Sequence, residues 1–305
     1  MTIGFHEDEF DTMLTDSVRR ALDAGAGAAA LGDLGLIGPV GGDLTLVSAA
    51  IVAREAARAG IGFPVAATLC HATLTGQAGK PETLRAVLAI QDEGGGIHAP
   101  LNGDPVAVLL PEEGATSLLG PVSPGPTSDP LGDGGWAQLD PATAETRQID
   151  LRCIAWTLTA AEILGAAEAL LDAAVVHLSE RQQFGRKLGS YQALRHRAAD
   201  DWVRLQDIRT AVDLAAVAHD QDAPEAIDLA RIALAVAADH GPIVAENAIH
   251  AHGAMGFTWD MGLHHRLISI RQRAATGGGA ARQFAAIGAA RLACRKKETA
   301  GHGRA

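Results

Sequence analysis

Apolar residues in the second half of the chain keep a helical step. Leu151, Ile154, Leu158, Ala161, Leu164, Ala167, Leu171, Val175 and Leu178 lie three or four apart, the spacing that lines one face of a helix. A second such series runs from Tyr191 through Trp202 and Leu205 to Ala215, and a third from Ile227 to Ala251, with Pro242 as a candidate kink. A last helix is predicted after Gly279. Long helices with short connections predict an antiparallel four-helix bundle over residues 150–305.

Residues 1–85 predict shorter helices. Phe10, Leu14, Val18 and Ala21 share one helical face. Leu44, Val47 and Ile51 start another, which Gly60 should stop, and residues 64–75 form a third. Between the first two, LGDLGLIGPVGG reads as a Gly-rich connector. Residues 86–149 lose the helical period and gain Gly and Pro. There IHAPLNGDPVAVLLP predicts a hairpin turning at Asn102-Gly103, and TSDPLGDGG a loop. The predicted fold is mainly α with a small β segment: an N-terminal helical domain, a reduced middle β domain and a C-terminal bundle. The tail CRKKETAGHGRA is expected to fray.

Composition narrows the function. The 305 residues are 48% hydrophobic but only 4% aromatic, so small residues let helices pack closely. A formal net charge of −11 without a basic stripe argues against nucleic acid. Apolar runs are too short to span a bilayer, and no charged-then-apolar leader opens the chain, so a soluble cytoplasmic protein with no membrane role is expected. Cys70, Cys153 and Cys294 have neither disulfide-framework nor metal-ligand spacing.

Two stretches carry candidate chemistry. SERQQFGRKLGSYQ places Arg181, Arg186 and Lys187 around Phe184 and Gly185 at a helix–helix junction. Gly185 can be a left-handed helix cap and Ser190 can cap the next helix, which makes the junction a plain connector. The clustered cations and ring also suit a phosphate-bearing ligand with an aromatic part. In AIHAHGAMGFTWDMGLHHRL a helix breaks at Gly253 and Gly256 and restarts near Met261, which lets a backbone approach a ligand. Asp260 or Thr258 can be the N-cap of the restart. His250, His252, His264 and His265 point to different faces and lack a carboxylate–His frame, so no metal is expected. The triple glycines at 94–96 and 277–279 have no phosphate-loop context, and no Ser-hydrolase elbow occurs.

The first stretch resembles the R-x-x-F-G-x-x-(I/L)…Q signature of acyl-CoA dehydrogenases. The second resembles that family's Q-x-x-G-G-x-G-(F/Y) stretch, and the order of helices, β segment and bundle is similar throughout. The resemblance implies FAD, an acyl-CoA substrate and a tetramer. It implies that Arg181 meets the FAD pyrophosphate, that Phe184 lies against the cofactor and that Gln192 faces its adenosine half. His250 falls where the family has glutamine. Gly253 and Ala254 fall on the Gly-Gly pair, and Gly256 completes the turn. In that family these groups serve the FAD of a neighbouring subunit.

Other family features are missing. The base that removes the α-proton is normally the glutamate of an E-G-T sequence, and that position here holds Gly277. The alternative base position on the first bundle helix falls near Ala155, with Glu162 two turns away. No T-E-P-x-x-G-S-D or G-x-K-x-W-I motif occurs between residues 86 and 149. GFTWD is similar to the G-F-T-W-E of actinobacterial heterotetrameric acyl-CoA dehydrogenases of the steroid side-chain type, whose short subunit this chain resembles. Three functions follow as alternatives. The chain is a subunit completing a longer partner's FAD site in a hetero-tetramer, a self-sufficient homo-tetrameric dehydrogenase with Asp260 as base, or a non-catalytic protein on this scaffold.

Overall fold

The computed structural model describes residues 9–91, 96–100, 107–119, 136–140 and 144–302. The N-terminal part contains α1 (Glu9–Ala21), α2 (Gly27–Asp33), α3 (Leu46–Ala59), α4 (Val65–Thr75) and the single turn α5 (Pro81–Leu84). Helix α1 buries Val18, as its predicted face requires, but leaves Phe10 60% exposed. Helix α3 starts where Thr45 accepts a hydrogen bond from Ser48 N and stops at Gly60, which has left-handed φ. Its first turn is also held from afar, because both carboxylate oxygens of Asp220 accept from Leu46 N and Val47 N at 2.8 and 3.0 Å. Helix α2 takes up the first three residues of the predicted Gly-rich connector.

Among the described residues seven strands follow: β1 (Ala86–Leu88), β2 (Ile90–Gln91), β3 (Ile97–Pro100), β4 (Ala107–Glu112), β5 (Ala115–Leu119), β6 (Trp136–Leu139) and β7 (Glu145–Arg147). They form two small sheets, ordered β1-β4-β5-β7 and β2-β3-β6, in which only the β1–β4 pair is parallel. The predicted β3–β4 hairpin is therefore wrong, since those strands belong to different sheets. Asn102-Gly103 and the TSDPLGDGG loop lie outside the described residues. The observed hairpin joins β4 to β5, with Glu112 opposite Ala115 and Gly114 at φ +73° in the turn.

The C-terminal part is α6 (Arg152–Glu180), α7 (Gln192–Asp220), α8 (Ala226–Ala251), α9 (Leu263–Ala274) and α10 (Gly279–His302), with a two-stranded hairpin of β8 (Gln182–Gln183) and β9 (Arg186–Lys187) after α6. Helix α8 runs unbroken through Pro242, and α10 includes most of the tail expected to fray. Trp202 and Val175, both placed on predicted core faces, are 57% and 48% exposed.

Helix α6 is the axis of the molecule. It packs against α3, α4, α7, α8 and α9, and it is apolar almost all round. By length and composition it could cross a bilayer, contrary to the expectation that no run is long enough. The apolar stretch is 94% buried inside the fold, where it serves as core. Gly165 lets α3 cross it closely, for a Cβ there would stand 1.9 Å from Arg54 O.

Candidate functional site

Both motif stretches come to one end of the bundle. Helix α6 ends at Arg181, whose extended backbone donates N–H to His177 O at 2.9 Å and accepts from Leu188 N at 2.8 Å. Between these bonds the chain makes a tight hairpin. Phe184 and Gly185 form its turn with φ of +53° and +79°, the positive values a type I′ turn needs at both central positions. Gly185 is thus a hairpin residue and not a helix cap. Ser190 does not cap α7 either; its hydroxyl donates to Lys187 O at 2.7 Å. A bulky residue at positive φ is strained by about 1–3 kcal/mol, and such strain clusters at functional positions. It holds the Phe184 ring 88% exposed.

The three cations of this arm are not equivalent. Arg186 lies over the Tyr191 ring at 3.9 Å. The exposed Arg181 guanidinium has no hydrogen-bond or ion-pair partner among the described residues. Gln192 opens α7, exposed, with Nε2 3.4 Å from His196 Nε2.

The second motif folds back beside it. His250 is exposed in the last turn of α8, its ring 5.8 Å from that of Phe257. After His252 the chain turns at Gly253, φ +63°, into a 3-10 segment through Phe257. Ala254 is exposed and Gly256 buried. A Cβ on Gly256 would meet Ile249 O at 2.3 Å, so the fold-back onto α8 requires glycine. Neither proposed cap serves α9, which begins after left-handed Gly262 without a side-chain cap. Thr258 donates to Met255 O, and Asp260 sits exposed in a 3-10 turn, Trp259–Met261. The four histidines make no metal cluster among the described residues.

Under this surface α6, α7 and α8 enclose a cavity of about 40 Å³ touched by Leu178, Leu194 and His250. At its wall the buried Asp201 accepts from Asn247 Nδ2 at 2.9 Å, tying α7 to α8. Burial lifts the Asp201 carboxyl above its ordinary range against the pull of Asn247 and Arg204.

A second, separate cleft lies where α4, β1, α6 and the α9–α10 turn meet. It is only about 50 Å³ and is touched by Thr159, Glu162, Arg273 and Thr276. The Glu162 carboxylate is buried and fully engaged, accepting from Arg273 Nε at 2.6 Å and from Ala66 N at 3.1 Å. Gly277, at φ +66°, is crowded. A Cβ there would stand 2.5 Å from Gln283 Nε2 and 3.3 Å from Trp156 Nε1. Gln283 donates to Gly277 O and accepts from Arg231 Nη1 at 3.1 Å, while Arg231 and Arg152 lie 4.7 and 5.7 Å from the Trp156 ring. Asp260 does not line this cleft. Sequence reasoning missed the crowding of Gly277 by Trp156 and Gln283, with Arg231 behind them, because no local pattern joins residues so far apart.

A much larger cavity, about 420 Å³, opens between α1, α3, α6 and α7. It shares no lining residue with either motif, so size alone does not locate the chemistry. Arg19 and Arg54 there hold the Glu55 carboxyl below its ordinary value although burial pushes it up, and Arg209 pairs with Glu168.

Comparison with known proteins places this geometry. The acyl-CoA dehydrogenase C-terminal domain matches residues 155–292. Acyl-CoA dehydrogenase IpdE2 of Mycolicibacterium smegmatis is 31% identical over 249 residues, covering 79% of this chain and 77% of that protein. The fold is similar to the ChsE4-ChsE5 complex of Mycobacterium tuberculosis, with TM-score 0.73 and 21% identity over 94% of this chain and 98% of that one. It is also similar to a Tcur3481-Tcur3483 steroid ACAD G363A variant, with TM-score 0.71 and 22% identity over 92% of this chain and 97% of that one. The chain belongs to the acyl-CoA dehydrogenase family, oxidoreductases that act on the CH–CH bond of acyl-CoA thioesters.

Proposed function

We propose that this chain is the short subunit of an FAD-dependent acyl-CoA dehydrogenase and completes the FAD site of a longer partner. The observation that carries the reading is the contrast between its two candidate sites. The bundle end is open and fits a dinucleotide. Arg181 offers an unpaired planar fork suited to phosphate oxygens, worth roughly 1.5–3 kcal/mol in a charge-assisted contact. The Phe184 ring, Gln192 and Gly253–Ala254 are exposed at the same end of the bundle, where the two stretches meet through His177 and His252. The internal cleft does not fit, since Trp156 and Gln283 fill the space beside Gly277 and Glu162 is held by Arg273.

When bound, FAD supplies the acceptor for the hydride that leaves the β-carbon of the thioester. The α-proton needs a carboxylate base, and in this reading the partner brings it, because among the described residues the carboxylate lining this chain's cleft, Glu162, is engaged by Arg273. Arg181 would hold and orient the phosphates, and Phe184 would cover the cofactor from water. Asp260, exposed on its turn and absent from the cleft, lacks the placement a self-sufficient enzyme requires. The naming of two-protein assemblies among structures of this fold supports an unlike partner, and a steroid enzyme among them supports a steroid-type acyl chain. The assembly is then a cytoplasmic heterotetramer.

Co-expression with a longer acyl-CoA dehydrogenase chain from the same genome, followed by purification and an absorption spectrum, tests the reading. Flavin absorbance and turnover of acyl- or steroid-CoA thioesters in the mixed assembly alone is the expected result. Flavin and fast turnover in the chain by itself overturn it.

A further inference from the structure

We infer that His252 is a positioning residue: packed on His177, it clasps the Arg181 end of α6 to the Gly253–Phe257 turn, so that the two cofactor-facing segments move as one. The inference rests on the subunit reading above. It starts from burial, for His252 is 6% exposed while its neighbours Ala251 and Gly253 are more open. Its Nδ1 lies 2.8 Å from Ala248 O. A carbonyl only accepts, so Nδ1 carries the proton, and that bond fixes the ring against the last turn of α8. The outer side of the ring meets His177, with centroids 4.6 Å apart and planes tilted by 32°. The two rings are thus in tilted contact at a distance typical of interacting aromatic pairs.

Each partner is rigidly joined to one motif. His252 is the residue immediately before Gly253, and the turn packs back onto it, since a Cβ on Gly256 would stand 3.1 Å from His252 Cβ. His177 lies one helical turn before Arg181, whose N–H bonds its carbonyl, and Leu188 N closes the hairpin onto Arg181 O. The line of contact therefore runs from turn to His252, to His177, to Arg181 and its hairpin. Two imidazolium ions at this distance repel, so the stack needs a neutral ring. Burial, His252 and Arg181 all disfavour the charged form of His177, with Glu180 alone opposing them.

The test uses the flavin-bound assembly with the longer partner. His252→Ala is expected to weaken FAD binding about tenfold and to speed amide exchange across residues 181–188, far from the substitution in sequence. His252→Phe keeps a ring against His177 and should restore affinity to within about threefold. In a double-mutant cycle, Arg181→Ala should cost much less in the His252→Ala background than alone. If His252→Ala does not fold, His177→Ala removes the same stack from its more open side. Arg181→Ala that weakens FAD while His252→Ala changes neither affinity nor exchange overturns this inference and leaves the subunit reading intact. So does His252→Phe behaving like His252→Ala. An Arg181→Ala variant with unaltered FAD affinity overturns the subunit reading itself.

Discussion

Two glycine turns of the bundle have opposite surroundings. The turn at Gly253–Gly256 lies at an open end, with Arg181, which has no ion pair among the described residues, and a Phe184 ring 88% exposed on strained backbone. The turn at Gly277 lies against a buried Trp156 and Gln283, with Arg231 stacked on the indole. In the family both places face cofactor or substrate. Here the surface proposed to serve a neighbour is open, while the position of the family's base is crowded at Gly277 and Glu162 at the cleft is engaged by Arg273. A protein decaying at random has no reason to keep one and close the other. The contrast supports the proposed division of labour between unlike subunits.

The most severe attempt to break the contrast restores the missing carboxylate. General-base assistance is worth about 10²–10⁴-fold, so a functional internal site should respond to Gly277→Glu with that gain. We expect no gain from the isolated chain. The new side chain would clash with Gln283 and sit at φ +66°, so destabilisation of about 1–3 kcal/mol is expected instead. Denaturant titration and a thioester assay read both outcomes, and turnover from Gly277→Glu would show the cleft to be a usable site.

Arg181→Ala sharpens the other side. Loss of an Arg–phosphate contact of roughly 1.5–3 kcal/mol should weaken FAD binding to the mixed assembly by about tenfold or more. Circular dichroism should show the fold unchanged, because Arg181 has no in-chain ion pair among the described residues. Equal affinities would remove it from the site.

The helices were legible in the sequence because burial repeats with their own period. The faces of α6 and α8, the stop at Gly60 and the position of both motifs all follow from spacing and from Gly or Pro signals. The local geometry at the site was less legible. Gly185 has the composition of a helix cap, yet a Phe at positive φ beside it makes a hairpin turn, which no propensity would favour. Asp260 and Thr258 have cap chemistry, but Gly262 already provides the left-handed entry to α9. Strand pairing failed for a different reason: Asn-Gly marks a turn but says nothing of which sheet each flanking strand joins. The crowding of Gly277 joins Trp156, Arg231 and Gln283 from three helices, and the His177–His252 contact joins α6 to the turn after α8. Such contacts exist only after the bundle has packed.

A smaller effect should appear with pH. His177 has its folded value lowered from 6.5 by burial, His252 and Arg181, so its neutral form is favoured in the fold. The stability it contributes is complete above about pH 6.5 and is lost as pH falls through the lowered value. Amide exchange of residues 181–188 and 253–257 should therefore speed up together in mildly acidic buffer and not in mildly alkaline buffer. Protection that is flat across this window would detach the stack from the platform. The smallest effect is expected at Asp260. Asp260→Asn should change turnover of the mixed assembly by less than about twofold, the behaviour of an exposed group with no part in proton transfer. Loss of nearly all turnover in a folded, flavin-bound variant would return the base to this chain.

The central claim is most directly tested by counting flavin. Purify the assembly of this chain with its longer partner, measure FAD by absorbance after denaturation, and measure each chain by amino-acid analysis. The account predicts one FAD for each unlike pair, and none on this chain purified alone and incubated with FAD. One FAD per chain in a homo-oligomer that turns over acyl-CoA would contradict it.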